Sequence, residues 1–316
     1  MPKDGPLALG AGLASAVIML SVLGSGPKAA PLLYFAQLPL FLAGLSRGLG
    51  PALSAATIGA LIVTLVGQSA LGSSVFGVMF LVLLAVPVIL VTRMAVLSRP
   101  GAGGGVEWYP PRLILSWLIA YASLGLVAAA ILFSGVEDGL EWQVRDAYRY
   151  VVERVTNAPL SPELSRWLEG SARSLPGVLA GTWLSMTSLS AVAAQALLSR
   201  LRWSLRPSPR LIDLTVPHRL LAALFAALAV AIFAEGQVGF VGRNLLPVLL
   251  APYFFVGLAV VHTVARRAQR PAIILAAFYG PLILLKVVVM VPLAILLGLL
   301  DTWVNLRRRF GGPGQV

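Results

Sequence analysis

The sequence predicts an all-α fold: a polytopic bundle of about ten transmembrane helices with an amphipathic helical insert outside the membrane. Hydrophobic residues make up 58% of the 316 residues and charged residues only 11%, less than half of the ~25% found in soluble domains. Apolar runs also recur at about the 20 residues that a helix needs to cross a bilayer. These runs must be helices, because backbone polar groups in lipid have to be satisfied within the segment.

The apolar runs predict eight crossings before the last segment. They are residues 8–24, 30–46, 51–68, 73–92, 113–134, 175–198, 218–235 and 244–264. The final stretch, 271–303, is too long for one ordinary crossing. Lys286 interrupts it, and Gly280-Pro281 and Pro292 are breaker signals, so two short crossings, 271–285 and 287–303, are favoured. One long kinked helix, or a re-entrant loop followed by one crossing, are the nine-span alternatives.

The distribution of charge predicts the orientation. The chain has a net charge of +12. With ten crossings and a cytoplasmic N-terminus, sixteen basic and four acidic residues lie on the cytoplasmic side, and eight of each lie on the other. This is the positive-inside pattern, and it predicts a bacterial inner-membrane protein with both termini in the cytoplasm. The bilayer and its anionic headgroups explain the basic loop 199–219, so we do not expect nucleic acid as a partner.

Three parts are predicted along the chain. Residues 1–134 form an N-terminal membrane bundle of five spans, 135–173 a periplasmic amphipathic helical insert, and 174–316 a C-terminal membrane bundle. In the insert, apolar residues at helical spacing predict a helix over 139–156, and Ser161 before Pro162 is typical of the start of a second helix. The insert is interpreted either as a hairpin resting on the membrane or capping the bundle, or as a lid over an outward-facing cavity.

The residues that usually carry chemistry are scarce. The chain has no cysteine and two histidines, so no metal site is expected. No serine, carboxylate or histidine arrangement resembles a catalytic constellation, and we expect no catalytic residues and no cofactor. An enzyme is therefore the least favoured class.

Polar residues within apolar spans are the usual functional markers in membrane proteins. Here the candidate ligand-binding residues are Asn244, His262, Lys286 and Asp301. Asp301 is also expected to pair with nearby arginines, either in the cluster Arg307–Arg309 or at Arg266 or Arg267 of the neighbouring span.

Small residues are candidates for close helix packing. On the first span, Ala8, Gly12 and Ala16 lie four residues apart, as do Gly177 and Gly181 on the sixth. Such small residues let the backbones of two helices approach closely.

The C-terminal third resembles a known family. Asn244 opens a span, Gly257-Leu-Ala-Val-Val-His262 lies within it, and Gly298-Leu-Leu-Asp-Thr-Trp303 precedes three arginines. This pattern, over about residues 242–309, is similar to that of the YybS-like family of predicted bacterial inner-membrane proteins. The resemblance adds Trp303 to the candidate ligand residues, and Gly257 and Gly298 to the candidate packing residues. That family is distantly similar to the substrate-binding S components of energy-coupling-factor transporters.

Two functional hypotheses follow. In the first, the bundle binds a small or lipid-like molecule, as a component of a transport system. In the second, the protein is a non-catalytic scaffold or assembly protein that recruits a membrane-protein partner through its basic cytoplasmic face.

Overall fold

The computed structural model is almost entirely helical and describes residues 4–25, 32–101, 104–135, 139–156, 161–284 and 287–311. The helices are α1 (Asp4–Ser25), α2 (Gln37–Arg47), α3 (Leu49–Leu71), α4 (Val75–Phe80), α5 (Val86–Ala95), α6 (Pro111–Leu132), α7 (Gly139–Thr156), α8 (Pro162–Ala172), α9 (Leu175–Arg200), α10 (His218–Phe233), α11 (Gly236–Arg267), α12 (Pro271–Ile283), α13 (Val287–Val304) and α14 (Leu306–Gly311). Two short strands, β1 (Ser98–Pro100) and β2 (Val106–Trp108), pair as an antiparallel hairpin. The prediction of an all-α bundle of apolar helices is confirmed.

Six helical segments among the described residues are long and apolar enough to cross a membrane. They are α1, α3, the continuous segment from α4 to α5, α6, α9 and α11. Four further apolar helices coincide with predicted crossings but have only 10–17 residues. The 16 residues of α10, for example, extend about 24 Å, less than the ~30 Å of a bilayer core. A count of ten crossings therefore stays a prediction.

The last apolar segment is divided into two helices. Helix α12 ends at Ile283 and α13 begins at Val287; whether the segment crosses the membrane once or twice stays a prediction. These bounds agree with the predicted segments 271–285 and 287–303, although two of the breaker signals, Pro281 and Pro292, lie inside the helices. A proline in a transmembrane helix is tolerated where its surroundings satisfy the freed carbonyl.

The predicted span 244–264 belongs to a longer helix. Helix α11 has 32 residues, which corresponds to about 48 Å. Two of the largest fully buried side chains belong to α11, Tyr253 and Phe240, at 0% and 1% exposure. Helices α10, α12 and α13 all pack on α11, which makes it the central element of the C-terminal part.

The chain forms two compact units. One contains Met1–Tyr121 and Trp183–Ser208, and the other contains Ala122–Thr182 and Pro209–Val316. We call them unit 1 and unit 2. The divisions that the sequence predicts, after residues 134 and 173, follow the predicted membrane topology, whereas the two units are defined by their compactness. The predicted divisions therefore stay predictions.

In unit 1, the small residues of α1 lie against α3. Ala8 and Ala16 are buried, and a Cβ atom at Gly12 would lie 2.6 Å from the carbonyl oxygen of Ala55. Such close backbone approach is the usual role of small residues in membrane helices. Only glycine fits at Gly12 without moving α3.

A π-helical turn, Leu81–Ala85, joins α4 to α5 within one apolar segment. The carbonyl oxygen of Leu83 accepts hydrogen bonds from Gln37 Nε2 at 2.8 Å and Trp183 Nε1 at 2.9 Å. Tyr121 donates its hydroxyl proton to the Val82 carbonyl at 2.7 Å. The irregular turn thus explains why Gln37 is buried inside a predicted span.

The polar insert contains two helices where the sequence predicts them. Helix α7 coincides with the predicted 139–156, and α8 begins at Pro162. The hydroxyl of Ser161 accepts a hydrogen bond from the backbone N–H of Leu164 at 3.2 Å, which is the expected N-cap. The periplasmic location of the insert stays a prediction.

Candidate functional site

Asn244 is buried at 1% exposure and makes three hydrogen bonds within unit 2. Its Oδ1 accepts the backbone N–H of Gly177 at 2.7 Å, one of the first-turn groups of α9 that have no partner in their own helix. Its Nδ2 donates to the carbonyl oxygens of Arg173 and Phe240, each at 2.9 Å. The amide therefore joins α11 to the start of α9.

Gly177 and Gly181 line the same contact. A Cβ atom at Gly177 would clash with the backbone of Asn244, and one at Gly181 would lie 2.9 Å from the carbonyl oxygen of Pro247. The small-residue pair noted in the sequence thus lets α9 lie directly on the backbone of α11.

His262 lies eighteen residues after Asn244 on the same continuous helix. The two are therefore separated by about 27 Å along the helix axis. His262 Nε2 is 3.0 Å from the hydroxyl oxygen of Tyr279 in α12. The structure does not bring Asn244 and His262 into one site.

Asp301 is buried at 4% exposure and bonded to Arg307. Its Oδ2 accepts from Arg307 Nε at 2.8 Å, and its Oδ1 accepts from the Arg307 backbone N–H at 2.9 Å. Arg307 also donates to the carbonyl oxygens of Ile212 and Leu214, at 2.7 and 2.8 Å. Of the arginines expected as partners, Asp301 is bonded to Arg307, which belongs to the cluster Arg307–Arg309. The pair ties the segment after α13 to the loop before α10.

The two other candidate ligand residues are Trp303 and Lys286. Trp303 is 58% exposed, and Lys286 lies outside the described residues. No group of three or more metal-ligating side chains occurs within the described part of the chain.

Gly257 and Gly298 face each other where α11 meets α13. A Cβ atom at Gly298 would clash with the carbonyl oxygen of Tyr253, and one at Gly257 with that of Ala294. Ala294 is itself fully buried. Since the obstructing atoms belong to backbones, no rotamer change could relieve either clash.

Unit 2 contains a cleft of about 660 Å³ between α6, α10 and α11. Twelve of its fifteen lining residues have no polar side-chain atom. The lining runs on α11 from Gln237 to Leu249, a length of about 18 Å. Its apolar surface includes Val127 of α6 and Val230 of α10. Neither Asn244, His262, Asp301 nor Trp303 lines it.

The three polar residues of the cleft lie towards its two ends. Ser134 and Gln237 share one end, where Gln237 Nε2 donates to the Ala130 carbonyl. Ser123 lies eleven residues before Ser134, which corresponds to about 16 Å at the rise of an α-helix. Its buried hydroxyl has no hydrogen-bond partner among the described residues.

Helix α7 of the insert contacts the cleft at the Gln237 end. Leu140 is buried against Ala130 and Phe240, and Val144 and Val241 pack on this cluster. Ala130 and Val241 also line the cleft. The insert is therefore in direct contact with the walls of the cleft.

Sequence reasoning missed the cleft and its polar residues. Gln237 falls between two predicted spans and so is not counted as an intramembrane residue. Ser123 looks like any serine in an apolar helix. The available signal was the small residues of α10, Ala223, Ala226 and Ala227, which leave room along one face.

One of three comparisons with known proteins found a match for this chain. No curated protein and no solved structure matches the chain. The family described as predicted membrane protein (DUF2232) matches residues 110–302, more than half of the chain. This range contains α6 and α10 and the cleft-lining part of α11. The chain belongs to the DUF2232 family of predicted membrane proteins.

Proposed function

We propose that the protein binds a lipid-like molecule in the cleft between α6, α10 and α11. The observation that carries the proposal is the lining: apolar over about 660 Å³, with polar side chains only at Ser123, Ser134 and Gln237. Ligand sites are commonly apolar clefts with a few polar groups that fix orientation. A length of about 18 Å suits an acyl or isoprenoid chain that lies along the bilayer normal.

The walls of the cleft support entry from the bilayer. Two of its lining residues, Ile131 and Val238, are 66% and 63% exposed, although both lie in apolar helices. A water-soluble substrate would have to pass this apolar surface. A lipid would enter from the membrane, where its tail already lies in apolar surroundings like those of the cleft. The insert helix α7 covers the Gln237 end, as a cap or a lid.

Polar groups would supply the specificity of such binding. Lipid tails are as apolar as the cleft, so burying a chain gains little over leaving it in the bilayer. Ser134 and Gln237 would meet a headgroup at one end, and Ser123 would meet a polar atom deeper in the chain. Hydrogen bonds of this kind average about 0.6 kcal/mol in membranes, which predicts selective rather than tight binding.

The distant similarity of the YybS-like family to S components motivates an extension of this proposal to transport. Those proteins bind their substrates inside a helical bundle and serve a larger transporter. In the extended proposal, this protein is the binding component of a transport system for lipid-like molecules in the bacterial inner membrane.

Photo-cross-linking tests the cleft. Protein reconstituted in nanodiscs is exposed to palmitate carrying a diazirine on its tail, and the labelled peptides are identified by mass spectrometry. We expect labelling to concentrate on the lining residues of α6, α10 and α11. Ala226→Phe places a ring in the cleft, because Ala226 lines it. It should lower labelling about tenfold, equivalent to ~1.4 kcal/mol.

Ala229→Phe is the matched control, because Ala229 lies on the same helix, is exposed and does not line the cleft. It should leave labelling unchanged. Labelling spread evenly over all apolar helices, or reduced equally by both variants, would exclude the cleft as the binding site.

The orientation is proposed together with the function. Ten crossings with both termini in the cytoplasm would place the arginines that precede α10 and those that follow α11 and α13 on the cytoplasmic side. We expect a green fluorescent protein fused after Val316 to fluoresce, and alkaline phosphatase fused there to be inactive. Phosphatase activity without fluorescence would contradict this topology.

A further inference from the structure

The segment after α9 exposes three large apolar side chains in unit 1. Leu201, Trp203 and Leu205 are 47%, 65% and 45% exposed. Arg200 and Arg202 alternate with them and are also exposed. We call these five residues the Trp203 surface. An exposed aromatic side chain flanked by cations is typical of the boundary between a bilayer and water.

The segment is held in place, so the exposure of Trp203 is not the result of a loose loop. Arg206 is buried, and its Nη1 donates to the carbonyl oxygens of Ala95 and Tyr109 at 3.2 and 3.3 Å. Its own carbonyl oxygen accepts from Gln195 Nε2 at 2.8 Å. The guanidinium carbon also lies 5.8 Å from the centre of the Trp108 ring.

Arg206 is thus a structural cation. Burial lowers its pKa from the ordinary value, as expected for a charge taken out of water. It links the end of α9 to the end of α5 and to the hairpin β1–β2, and this contact keeps Trp203 pointing away from unit 1.

This end of unit 1 is strongly basic. Exposed arginines lie at the adjacent ends of α5, the hairpin, α6 and α9: Arg93, Arg99, Arg112, Arg200 and Arg202. Arg99 is paired with Glu107 at 2.8 Å. This hydrogen-bonded ion pair raises the pKa of Arg99 and lowers that of Glu107. These five arginines and Arg47, which lies 4.0 Å from Asp4, outnumber the described acids of this end, Asp4 and Glu107.

We propose that the Trp203 surface is an interfacial anchor that binds the anionic phospholipids of the adjoining leaflet. Trp203, Leu201 and Leu205 enter the headgroup region, and Arg200 and Arg202 contact lipid phosphates. The occupant follows from the position, because α5, α6 and α9 lie in apolar segments long enough to cross a membrane and all reach this end. Basic residues near an anionic membrane surface are attracted to its headgroups. The anchor is independent of the cleft in unit 2.

The absence of cysteine from the chain allows a single-label test on the whole protein. Trp203→Cys carries an environment-sensitive nitrobenzoxadiazole group, and quenching by headgroup-nitroxide lipids is measured in nanodiscs of phosphatidylcholine alone or with added phosphatidylglycerol. We expect at least a twofold rise in quenching with the anionic lipid, and loss of this rise in Arg200→Gln/Arg202→Gln or in high salt.

Trp167→Cys is the matched control, since Trp167 is 61% exposed but lies in α8 beside Glu163 and Glu169. Its label should show no rise with phosphatidylglycerol. Equal quenching of the label at position 203 in both lipids, or a rise that survives the double substitution, would overturn the proposal. A label that stays unquenched in both nanodiscs but is shielded in native membranes would assign the surface to a protein partner instead.

Discussion

Gly298→Ala is expected to separate α13 from α11 and to destabilise unit 2. The added Cβ atom would overlap the carbonyl oxygen of Tyr253, and the backbone N–H of Gly257 would lie 3.0 Å from it. Both obstacles are backbone atoms of the helix on which α10, α12 and α13 pack. Overpacking of this kind costs about 1–3 kcal/mol, and we expect the upper end because no side chain can move aside.

Thermal unfolding in detergent, followed by tryptophan fluorescence, measures this effect. Gly125→Ala is the control: Gly125 lies inside α6, and a Cβ atom there would meet no atom within 4 Å. Alanine has the higher helix propensity by ~1 kcal/mol, so Gly125→Ala should be neutral or stabilising. Equal unfolding temperatures for Gly298→Ala and the unaltered protein would show that α11 and α13 do not pack as described.

Asn244→Leu is expected to lower the free energy of unfolding by about 2 kcal/mol. The substitution removes three hydrogen bonds, at an average of ~0.6 kcal/mol each in a membrane protein. It also leaves the Gly177 N–H and the Arg173 carbonyl without the partner they have in the structure. Gln68→Leu removes an exposed amide from α3 and should change the stability little.

The same variant separates a structural role for Asn244 from the ligand-binding role that the sequence predicts. If Asn244 is structural, Asn244→Leu should lower the unfolding temperature with and without lipid by the same amount. If Asn244 contacts the ligand, the protein alone should unfold normally and only its stabilisation by added palmitate should be lost.

The elements of the fold were largely predictable. Hydropathy located the apolar helices because these helices carry apolar side chains on all faces. Local composition alone is enough to detect such a segment. The Ser161-Pro162 pair located the start of α8 for the same reason, since an N-cap is an interaction within four residues. The predicted division of the last segment into 271–285 and 287–303 agrees with helices α12 and α13, although two of its breaker signals, Pro281 and Pro292, lie inside those helices.

The candidate site was predictable only in part. Asn244, His262 and Asp301 stand out because polar groups are rare in apolar segments. Polarity alone does not distinguish a group that binds a ligand from one that completes the backbone bonding of a neighbouring helix. Asn244 and Asp301 take the second role in this structure, through partners that lie 67 and 6 residues away in the chain.

The sequence by itself determined that this protein is an apolar helical membrane protein, and which of its segments are apolar and which is polar. These properties depend on composition and on contacts within a few residues. Only the tertiary structure decided that Gly257 faces Gly298, that Arg206 is buried while Trp203 is exposed, and that small residues of α10 leave a cleft beside α6 and α11. Each of these features depends on which helix faces pack against each other. Because almost every face of these helices is apolar, hydropathy does not show which faces those are.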